Sequence, residues 1–380
     1  MEPFKNLINA TAVASMGQHL QRAWPSFDRP RFEALANQGL HALELKARML
    51  QLADAMSATL PADFNAACSV LETSLAPPLP LDARGEPVGL SGAQAEAGLA
   101  GWVIWSMGEF VARHGQHDVP RSLACLHALT QRSTAEFAIR PFIQAQPDAV
   151  WPVLAHWAND PSAHVRRLVS EGSRPRLPWG LRLQALVANP APTLPLLRKL
   201  QDDPSSCVRR SVANHLNDIA KDHPDLVAGW VKDHLIEATP ERSTLLRHAS
   251  RSLIKQGHAP TLAAWGLASG LTGLATLGLS AVQAAVGDAI GLRVVLQSTA
   301  RQAQPLEIDY AVHHVRANGS TSPKVFKGWK LSLAPGEART LDKRHSLKPV
   351  TTRTLYPGPH RIELRVNGVA LAEAVFDLKP

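Results

Sequence analysis

Three acidic residues in the middle of the chain lie in sequence contexts that suggest chemistry. Glu136 lies in TAEFAIRPF, Glu171 in SEGSRPRLPW and Asp218 in NHLNDI. The segment around Glu171 also contains two arginines, a glycine, two prolines and Trp179. Glycine and proline end a helix, and a rigid turn fixes side chains in space better than a flexible loop does. We therefore expect residues 170–179 to be a helix end followed by a well-positioned turn.

Arginines accompany these acids in the sequence. They are Arg166, Arg167, Arg174, Arg176, Arg209 and Arg210. One interpretation of such a cluster is a network of ion pairs that holds helices together. The other is a site whose carboxylates stabilise positive charge while its arginines bind a polyanion. The residue types alone leave both interpretations open.

A helical repeat carries the acids. The sequence DPSAHVRRLVS at 160–170 recurs as DPSSCVRRSVA at 203–213, about 43 residues later, and a weaker copy begins at Pro240. Asp and Pro favour a helix start, the two valines pack inward, and the arginine pair is expected to face outward. Paired helices with this period are typical of HEAT-like arrays, in which each repeat completes the core of its neighbour. Stacked repeats would bring the acids onto one concave surface.

The rest of the sequence before residue 284 also predicts helices. Residues 1–76 have the apolar spacing of amphipathic helices, whereas residues 77–98 are rich in Pro and Gly and predict a long connection, either mobile or functional. Between Lys255 and Asp288 the chain has no Asp, Glu, Lys or Arg, and small residues dominate. We interpret this stretch as small-residue helices of a soluble protein rather than a membrane span. The helical domain is expected to cover residues 1–283.

After residue 284 short runs of alternating apolar residues replace the helical pattern. Residues 292–296, 306–312 and 361–366 predict strands, and the Asn-Gly pair at 367–368 predicts a type I′ hairpin turn. We expect residues 284–380 to form an immunoglobulin-like β-sandwich. The predicted fold class is therefore mainly α, with a HEAT-like superhelix followed by a small all-β domain.

Charge and cysteine content limit the possible functions. The net charge of +8, much of it from the all-β region, favours an anionic partner such as nucleic acid. The three cysteines lack metal-ligand spacing, which indicates reduced thiols in an intracellular protein. His313 and His314 are adjacent on a predicted strand and would point to opposite faces, so we expect no metal site there. We find no signal peptide and no Walker, GxSxG or HExxH motif, and we expect no cofactor.

Several of these motifs together resemble the AlkC family of bacterial DNA glycosylases. They are TAEFAIRPF, SEGSRPRLPW, the repeated DPSxxVRR, VANHLNDIAKDHP, and NGSTSPKVFKGWKL at 318–331, and the resemblance covers roughly residues 100–380. It implies that both domains bind bent duplex DNA. It also implies excision of cationic N3-alkylated bases such as 3-methyladenine and 3-methylcytosine, without extrusion of the base into a closed pocket. On matching positions, Glu136, Glu171 and Asp218 would be the active-site acids, and Trp179 would contact the lesion.

The chemistry of such a base agrees with these residues. A base methylated at a ring nitrogen is already positive, so it leaves without much protonation. Carboxylates can stabilise the oxocarbenium-like sugar and position a water. We expect Asp218 to be the principal acid with Glu171 beside it. Glu136 ranks third, because it can instead pair with Arg140 one turn later. Trp179 would stack on the cationic base or its neighbours.

The basic residues are expected to contact DNA phosphates. They are Arg166, Arg167, Arg174, Arg176, Arg209 and Arg210 from the repeats, with Lys324, Lys327 and Lys330 from the all-β domain. The alternative for each arginine pair is a solvated helix face. We thus expect a monomeric, cytoplasmic, nucleoid-associated glycosylase of the DNA-3-methyladenine type that acts on alkylated double-stranded DNA. It would need no membrane and no obligate protein partner. The alternatives are a non-catalytic HEAT-repeat DNA-binding or scaffold protein and a protein–protein adaptor.

Overall fold

Helices occupy the chain up to Ala264 and strands occupy it from Gly273 onward. The computed structural model describes residues 3–86, 88, 96–267, 270–350 and 353–380. The chain forms two compact units, of which one contains Met1–Asp222 with Pro240–Ala249 and the other contains His223–Thr239 with Ser250–Pro380. The predicted fold class, mainly α with helical repeats followed by an all-β sandwich, is confirmed.

The helices of the described residues are mostly short. They are α1 (Ala10–Ala23), α2 (Arg29–Asn37), α3 (Leu45–Thr59), α4 (Phe64–Thr73), α5 (Val103–His114), α6 (Val119–Thr130), α7 (Arg140–Ala145), α8 (Pro147–Trp157), α9 (Ala163–Gly172), α10 (Gln184–Ala188), α11 (Leu194–Leu200), α12 (Ser206–Ile219), α13 (Pro224–Leu235), α14 (Pro240–Ala249), α15 (Arg251–Gln256) and α16 (Ala259–Ala264). No helix in this described part of the chain combines the length and apolarity that crossing a membrane requires.

The duplicated motif builds stacked helices, as predicted. Helix α9 packs against α12, and α12 packs against α14, so the two strong copies and the weak copy follow one another in space. The two valines of each copy are fully buried: Val165 and Val169 in α9, and Val208 and Val212 in α12. This inward stripe, repeated at helical spacing, is what joins the repeats into one core.

The aspartate that opens each of the two strong copies links its helix to an earlier one. Asp160 Oδ1 and Asp203 Oδ1 accept the backbone N–H two residues later, at 2.7 and 2.8 Å, and so close a turn just before the helix. Each carboxylate also lies beside a basic side chain of an earlier helix. His127 Nε2 lies 2.8 Å from Asp160 Oδ2, and Arg166 Nε lies 2.6 Å from Asp203 Oδ2. The same acid therefore starts its own helix and fastens it to the previous repeat.

The first arginine of each pair folds back onto its own motif. Arg166 Nη1 donates to both carbonyl oxygens of its Asp-Pro pair, at 2.8 and 3.0 Å, and Arg209 Nη1 makes the same two contacts in the next copy. These carbonyls precede the helix, so a side-chain donor satisfies them. The expectation that the arginine pair faces outward holds for Arg210, whose side chain is 55% exposed. It fails for Arg166, which is 14% exposed.

The all-β part is a two-sheet sandwich. Its strands are β1 (Gly273–Leu279), β2 (Gln283–Ala285), β3 (Ala289–Ser298), β4 (Gln304–Val315), β5 (Thr321–Leu333), β6 (Ala338–Ser346), β7 (Gly358–Val366) and β8 (Val369–Lys379). One sheet has the order β1-β3-β6 and the other the order β2-β8-β7-β4-β5. The predicted hairpin turn joins β7 to β8, with Asn367 at φ 47° and Gly368 at φ 76°, as a type I′ turn requires.

The first strands begin before residue 284. The stretch between Lys255 and Asp288, interpreted above as small-residue helices, contains β1 and β2. The whole of strand β1 pairs antiparallel with residues 292–298 of β3, and its residues alternate between half-buried and exposed. Its Gly, Ala, Thr and Leu residues give no strong strand signal, so pairing with β3 decides its conformation. The prediction of helices holds for α16 (Ala259–Ala264) and is wrong from Gly273 onward.

The inter-repeat acid gives a stability prediction. Asp203→Asn removes the charged partner of Arg166, whose side chain is only 14% exposed, so we expect the free energy of unfolding to fall by about 3 kcal/mol in urea denaturation. The neighbouring Asp202 is a matched control, because its side chain is 44% exposed where it pairs with Arg242. Asp202→Asn should change the stability by less than about 1 kcal/mol. Equal losses in the two variants would contradict the inter-repeat role.

Candidate active site

A cleft of about 460 Å³ opens in the helical unit. Its lining combines the acids Glu86, Glu136 and Glu171, the cations Arg167, Arg174 and Arg210, and the aromatic residues Trp102, Trp105, Phe137 and Trp179. Acids, cations and aromatic faces around one opening suit a ligand that has both charge and a flat ring.

Two arginines join the three predicted acids into one network. Arg167 Nη2 lies 2.9 Å from Glu136 Oε2 and 4.0 Å from Glu171 Oε1. Arg174 Nη1 donates to Glu171 Oε1 at 2.5 Å, and its Nε donates to Asp218 Oδ2 at 2.8 Å. Acid and base thus alternate from Glu136 to Asp218. We call these five residues the acid–arginine network.

The acids of the network differ in their access to the cleft. Glu171 and Glu136 are part of the lining, whereas Asp218 is 2% exposed and adjoins the cleft through Arg174. Asp218 Oδ1 also accepts a hydrogen bond from Lys221 Nζ at 2.8 Å. Both oxygens of Asp218 therefore face a cation, one on each side.

Hydroxyl groups hold the two acids of the lining. Ser211 Oγ of α12 donates to Glu171 Oε2 at 2.6 Å, and Thr134 Oγ1 donates to Glu136 Oε2 at 2.7 Å. Burial favours the neutral form of Glu171, but Arg167 and Arg174 overcome it and hold the pKa of this carboxyl below its usual value. Glu171 is therefore charged at neutral pH.

The predicted pairing of Glu136 with Arg140 is wrong. Glu136 lies in the turn before α7, so the spacing of one helical turn does not apply to it. It pairs with Arg167 instead. Arg140 donates to two backbone carbonyl oxygens, those of Gly172 and Leu181, at 2.8 and 2.6 Å.

The turn after α9 presents Trp179 at the cleft. Helix α9 ends at Gly172, where an added Cβ would lie 2.6 Å from Ile139 Cγ2, so only glycine fits this packing. Trp179 has φ 64° and is 66% exposed. A non-glycine residue in this left-handed region is strained, so the surrounding structure must hold it there. The predicted helix end and positioned turn are both present.

Three aromatic residues of the lining are not among the residues predicted from the sequence. Trp105 and Phe137 stack with ring centroids 4.4 Å apart, and Trp102 lies 5.7 Å from the ring of Phe4. Aromatic residues make up only 5% of the chain, so Trp102 and Trp105 three residues apart were a signal that sequence reasoning did not use. Phe137 directly follows Glu136 and could have been found with it.

The predicted phosphate-binding arginines have different surroundings. Arg167 and Arg174 belong to the acid–arginine network, and Arg166 and Arg209 fold onto their own motifs. Arg176 pairs in bidentate fashion with Asp222, at 2.7 and 2.6 Å. Arg210 pairs with Glu86 at 2.8 and 2.5 Å, and its side chain is 55% exposed, whereas those of Arg166, Arg167, Arg174 and Arg176 are at most 25% exposed.

Glu86 brings the Pro- and Gly-rich connection to the cleft. Residues 87 and 89–95 of the predicted connection 77–98 lie outside the described residues. Next to them, the carbonyl oxygen of Arg84 accepts the N–H and Oγ–H of Ser206, at 3.0 and 2.7 Å, at the start of α12. Ser206 Oγ also lies 2.8 Å from Glu86 Oε1. The connection thus forms part of the cleft wall at Glu86.

The predicted lysines of β5 do not share one face of the sheet. A β-bulge at Gly328 shifts the register between β4 and β5, so Lys327 and Lys330 both lie opposite acidic residues on one face. Lys324 lies opposite the core residue Val312 and so belongs to the other face. His313 and His314 also lie on opposite faces, as predicted, since adjacent strand residues alternate.

Comparisons with known proteins cover the whole chain. Residues 273–380 match the family described as the C-terminal Ig-like domain of uncharacterised protein YhaZ. Uncharacterized protein YhaZ of Bacillus subtilis (strain 168) is 32% identical over 370 residues, which are 97% of this chain and 97% of that protein. Among solved structures, the Pseudomonas fluorescens alkylpurine DNA glycosylase AlkC, bound to DNA containing an abasic site analog, matches with a TM-score of 0.89. That match has 33% identity and covers 100% of both chains.

Arg174, the cation that Glu171 and Asp218 share, leads to a prediction for how stability depends on pH. The folded pKa of Glu171 is lowered, so its charged form stabilises the fold above the unfolded value of about 4.3, and this stabilisation is lost as the pH falls through the folded value. In Arg174→Met less charge opposes the effect of burial, so the pKa of Glu171 rises and the loss begins at higher pH. Urea unfolding between pH 3 and 7 measures this shift. Arg176→Met, which removes the pair with Asp222, is the control, and identical pH profiles would contradict the assignment.

Proposed function

Because the chain belongs to the AlkC-type family, we propose that it is a monofunctional DNA glycosylase that removes alkylated bases from double-stranded DNA. The observation that carries the proposal is the acid–arginine network, which meets an aromatic cleft where Trp179 is exposed. A purely structural network would not need an aromatic surface beside it. A polyanion that carries a cationic aromatic base requires all three elements: arginines, carboxylates and a ring to stack on.

We propose cationic N3-alkylated bases, including 3-methyladenine and 3-methylcytosine, as the substrates. The N-glycosidic bond breaks, its electron pair moves to the base, and the base leaves neutral. Positive charge then develops on the sugar, where carboxylates stabilise it. Water adds to the anomeric carbon and gives its proton to a carboxylate acting as general base. The products are a free base and an abasic sugar, and no cofactor takes part.

The division of labour among the three acids follows from their access to the cleft. Glu171 and Glu136 already line it, so they can face the sugar directly. Asp218, which we expect to be the principal acid, must exchange its hydrogen bond to Arg174 for one to water. A DNA phosphate that draws Arg174 toward itself would allow this exchange. DNA binding would then make the Asp218 carboxylate available as the general base of the reaction.

We further propose that the lesion is not extruded into a closed pocket. The side chain of Trp179 is 66% exposed at the cleft, so it can stack on a nucleobase from outside the DNA duplex. Enzymes that extrude a base enclose it within a pocket, and a solvent-exposed tryptophan on a turn does not provide one. Arg174, Arg176, Arg210, Lys327 and Lys330 are the proposed phosphate contacts.

Base release tests the catalytic proposal. Duplex DNA treated with a methylating agent is incubated with excess protein, and free 3-methyladenine is measured in a single turnover. Asp218→Asn and Glu171→Gln should each slow release by about 100-fold or more while still binding DNA, and Glu136→Gln should slow it less. Asp202→Asn is the control, because it removes an exposed acid of the same unit outside the network.

The same assay separates the alternative functions. A non-catalytic DNA-binding scaffold would bind duplex DNA regardless of damage and release no base, and all three acid variants would then behave as the wild type does. A protein–protein adaptor would show no salt-dependent DNA binding. Wild-type protein that binds methylated duplex but frees no base would overturn the glycosylase proposal.

Substitutions of the two partners in the Arg210–Glu86 ion pair should change DNA affinity in opposite directions. Both Arg210→Ala and Glu86→Gln break the same pair, so a merely structural pair predicts the same change in both. If Arg210 contacts a phosphate, Arg210→Ala weakens DNA binding and lowers the slope of log K against log salt by about 1. Glu86→Gln then tightens binding, because it removes a competing anion. Weaker binding in both variants would exclude the phosphate contact.

A further inference from the structure

Arg140 is a buried arginine with no assigned part in the proposed reaction. It is 0% exposed and is the largest fully buried side chain of the described residues. Its guanidinium donates through Nη1 to the carbonyl oxygen of Gly172 at 2.8 Å and through Nε to that of Leu181 at 2.6 Å. Its Nη2 has no hydrogen-bond partner within the described part of the chain.

The two carbonyls that Arg140 holds lie on either side of the turn that serves the cleft. Gly172 is the last residue of α9 and directly follows Glu171. Leu181 comes two residues after Trp179. A guanidinium is a rigid planar fork, so two bonds from one fork fix the distance between the two ends of the turn.

The turn requires such an external support. Trp179 is held at φ 64°, which is strained for a residue with a side chain. Gly180 lies so close to Arg140 that an added Cβ would be 3.3 Å from its Nε. Within the turn, the N–H of Gly180 bonds the carbonyl oxygen of Leu177 at 3.2 Å. The guanidinium therefore packs against Gly180, the residue that follows the strained one.

The charge of Arg140 is not explained by stability alone. Burial, together with the nearby charge of Arg174, lowers the pKa of Arg140 to about 10, so it remains protonated at neutral pH. An apolar residue of similar size would fill the space without the desolvation of a cation. It would not hold two carbonyls at a fixed separation. What the arginine adds is the geometry of the turn.

We propose that Arg140 is a positioning residue that fixes the turn from Gly172 to Leu181 and so sets where Trp179 stands relative to the acid–arginine network. Its effect on base release rests on the proposed glycosylase function. Its effect on the turn does not, because it can be measured in the free protein. Arg140 acts through the backbone and does not touch the DNA.

The test combines a rate with a direct view of the turn. In Arg140→Met, single-turnover release of 3-methyladenine should fall by about 100-fold, the size expected for a displacement of about 1 Å. Binding to undamaged duplex should stay within about twofold, because surface cations determine it. In protein labelled with 5-fluorotryptophan, the ¹⁹F resonance of Trp179, assigned with Trp179→Phe, should shift or broaden. Arg140→Lys, which keeps the charge without the fork, should give an intermediate rate.

Arg48 provides the matched control. It is also buried, at 4% exposed, and donates to the backbone carbonyls of Lys5, Ile8, His41 and Leu43. Arg48→Met should lower the melting temperature as Arg140→Met does, but should leave the Trp179 resonance and the release rate unchanged.

Two outcomes would overturn the inference. One is an unchanged Trp179 resonance in Arg140→Met, and the other is a loss of rate no greater than that of Arg48→Met. If the wild type releases no base at all, the proposed function fails, yet the ¹⁹F comparison still decides whether Arg140 holds the turn.

Discussion

Every buried carboxylate of this protein's helical unit must meet a cation, and that constraint organises the cleft. Removing a charge from water costs several kcal/mol unless an opposite charge and hydrogen bonds replace the water. Arg174 satisfies two carboxylates at once, Glu171 from α9 and Asp218 from α12. Its ion pairs are possible only because the two helices stack in the register that the repeated motif imposes. The site is therefore a product of the repeat as much as of its own residues.

Together with Lys221, the acid–arginine network has no net formal charge before any ligand binds. Its three acids, Glu136, Glu171 and Asp218, are matched by Arg167, Arg174 and Lys221. A ligand that carries both a negative backbone and a positive base can exchange partners with such a network without leaving a net buried charge. A simple anion or a simple cation would leave one sign uncompensated. This property agrees with the proposed substrate, alkylated DNA.

The sequence predicted what depends on short-range pattern. The duplicated motif predicted the stack of α9, α12 and α14, and the Gly and Pro residues predicted the end of α9. Partners far apart in the chain were not predictable in this way. Arg140 was assigned to Glu136 because they are four residues apart, but Glu136 lies in a turn. The bulge at Gly328 brings Lys330 onto the same face as Lys327, which a regular strand would not do, and the glycine itself is only a weak local sign of a bulge. Glu86 reaches Arg210 across more than a hundred residues.

In both strong copies of the repeated motif, one acid starts a helix and also joins it to an earlier helix. Asp203 closes the turn before α12 and binds Arg166 of α9, so the two helices cannot open separately without leaving one of these charges unpaired. Hydrogen exchange in this region should then occur through opening of several repeats together rather than by fraying of one helix. Because the repeats open together, the cleft that two of them form does not open by local unfolding of one helix. The positions of its acids are retained until the stack itself comes apart.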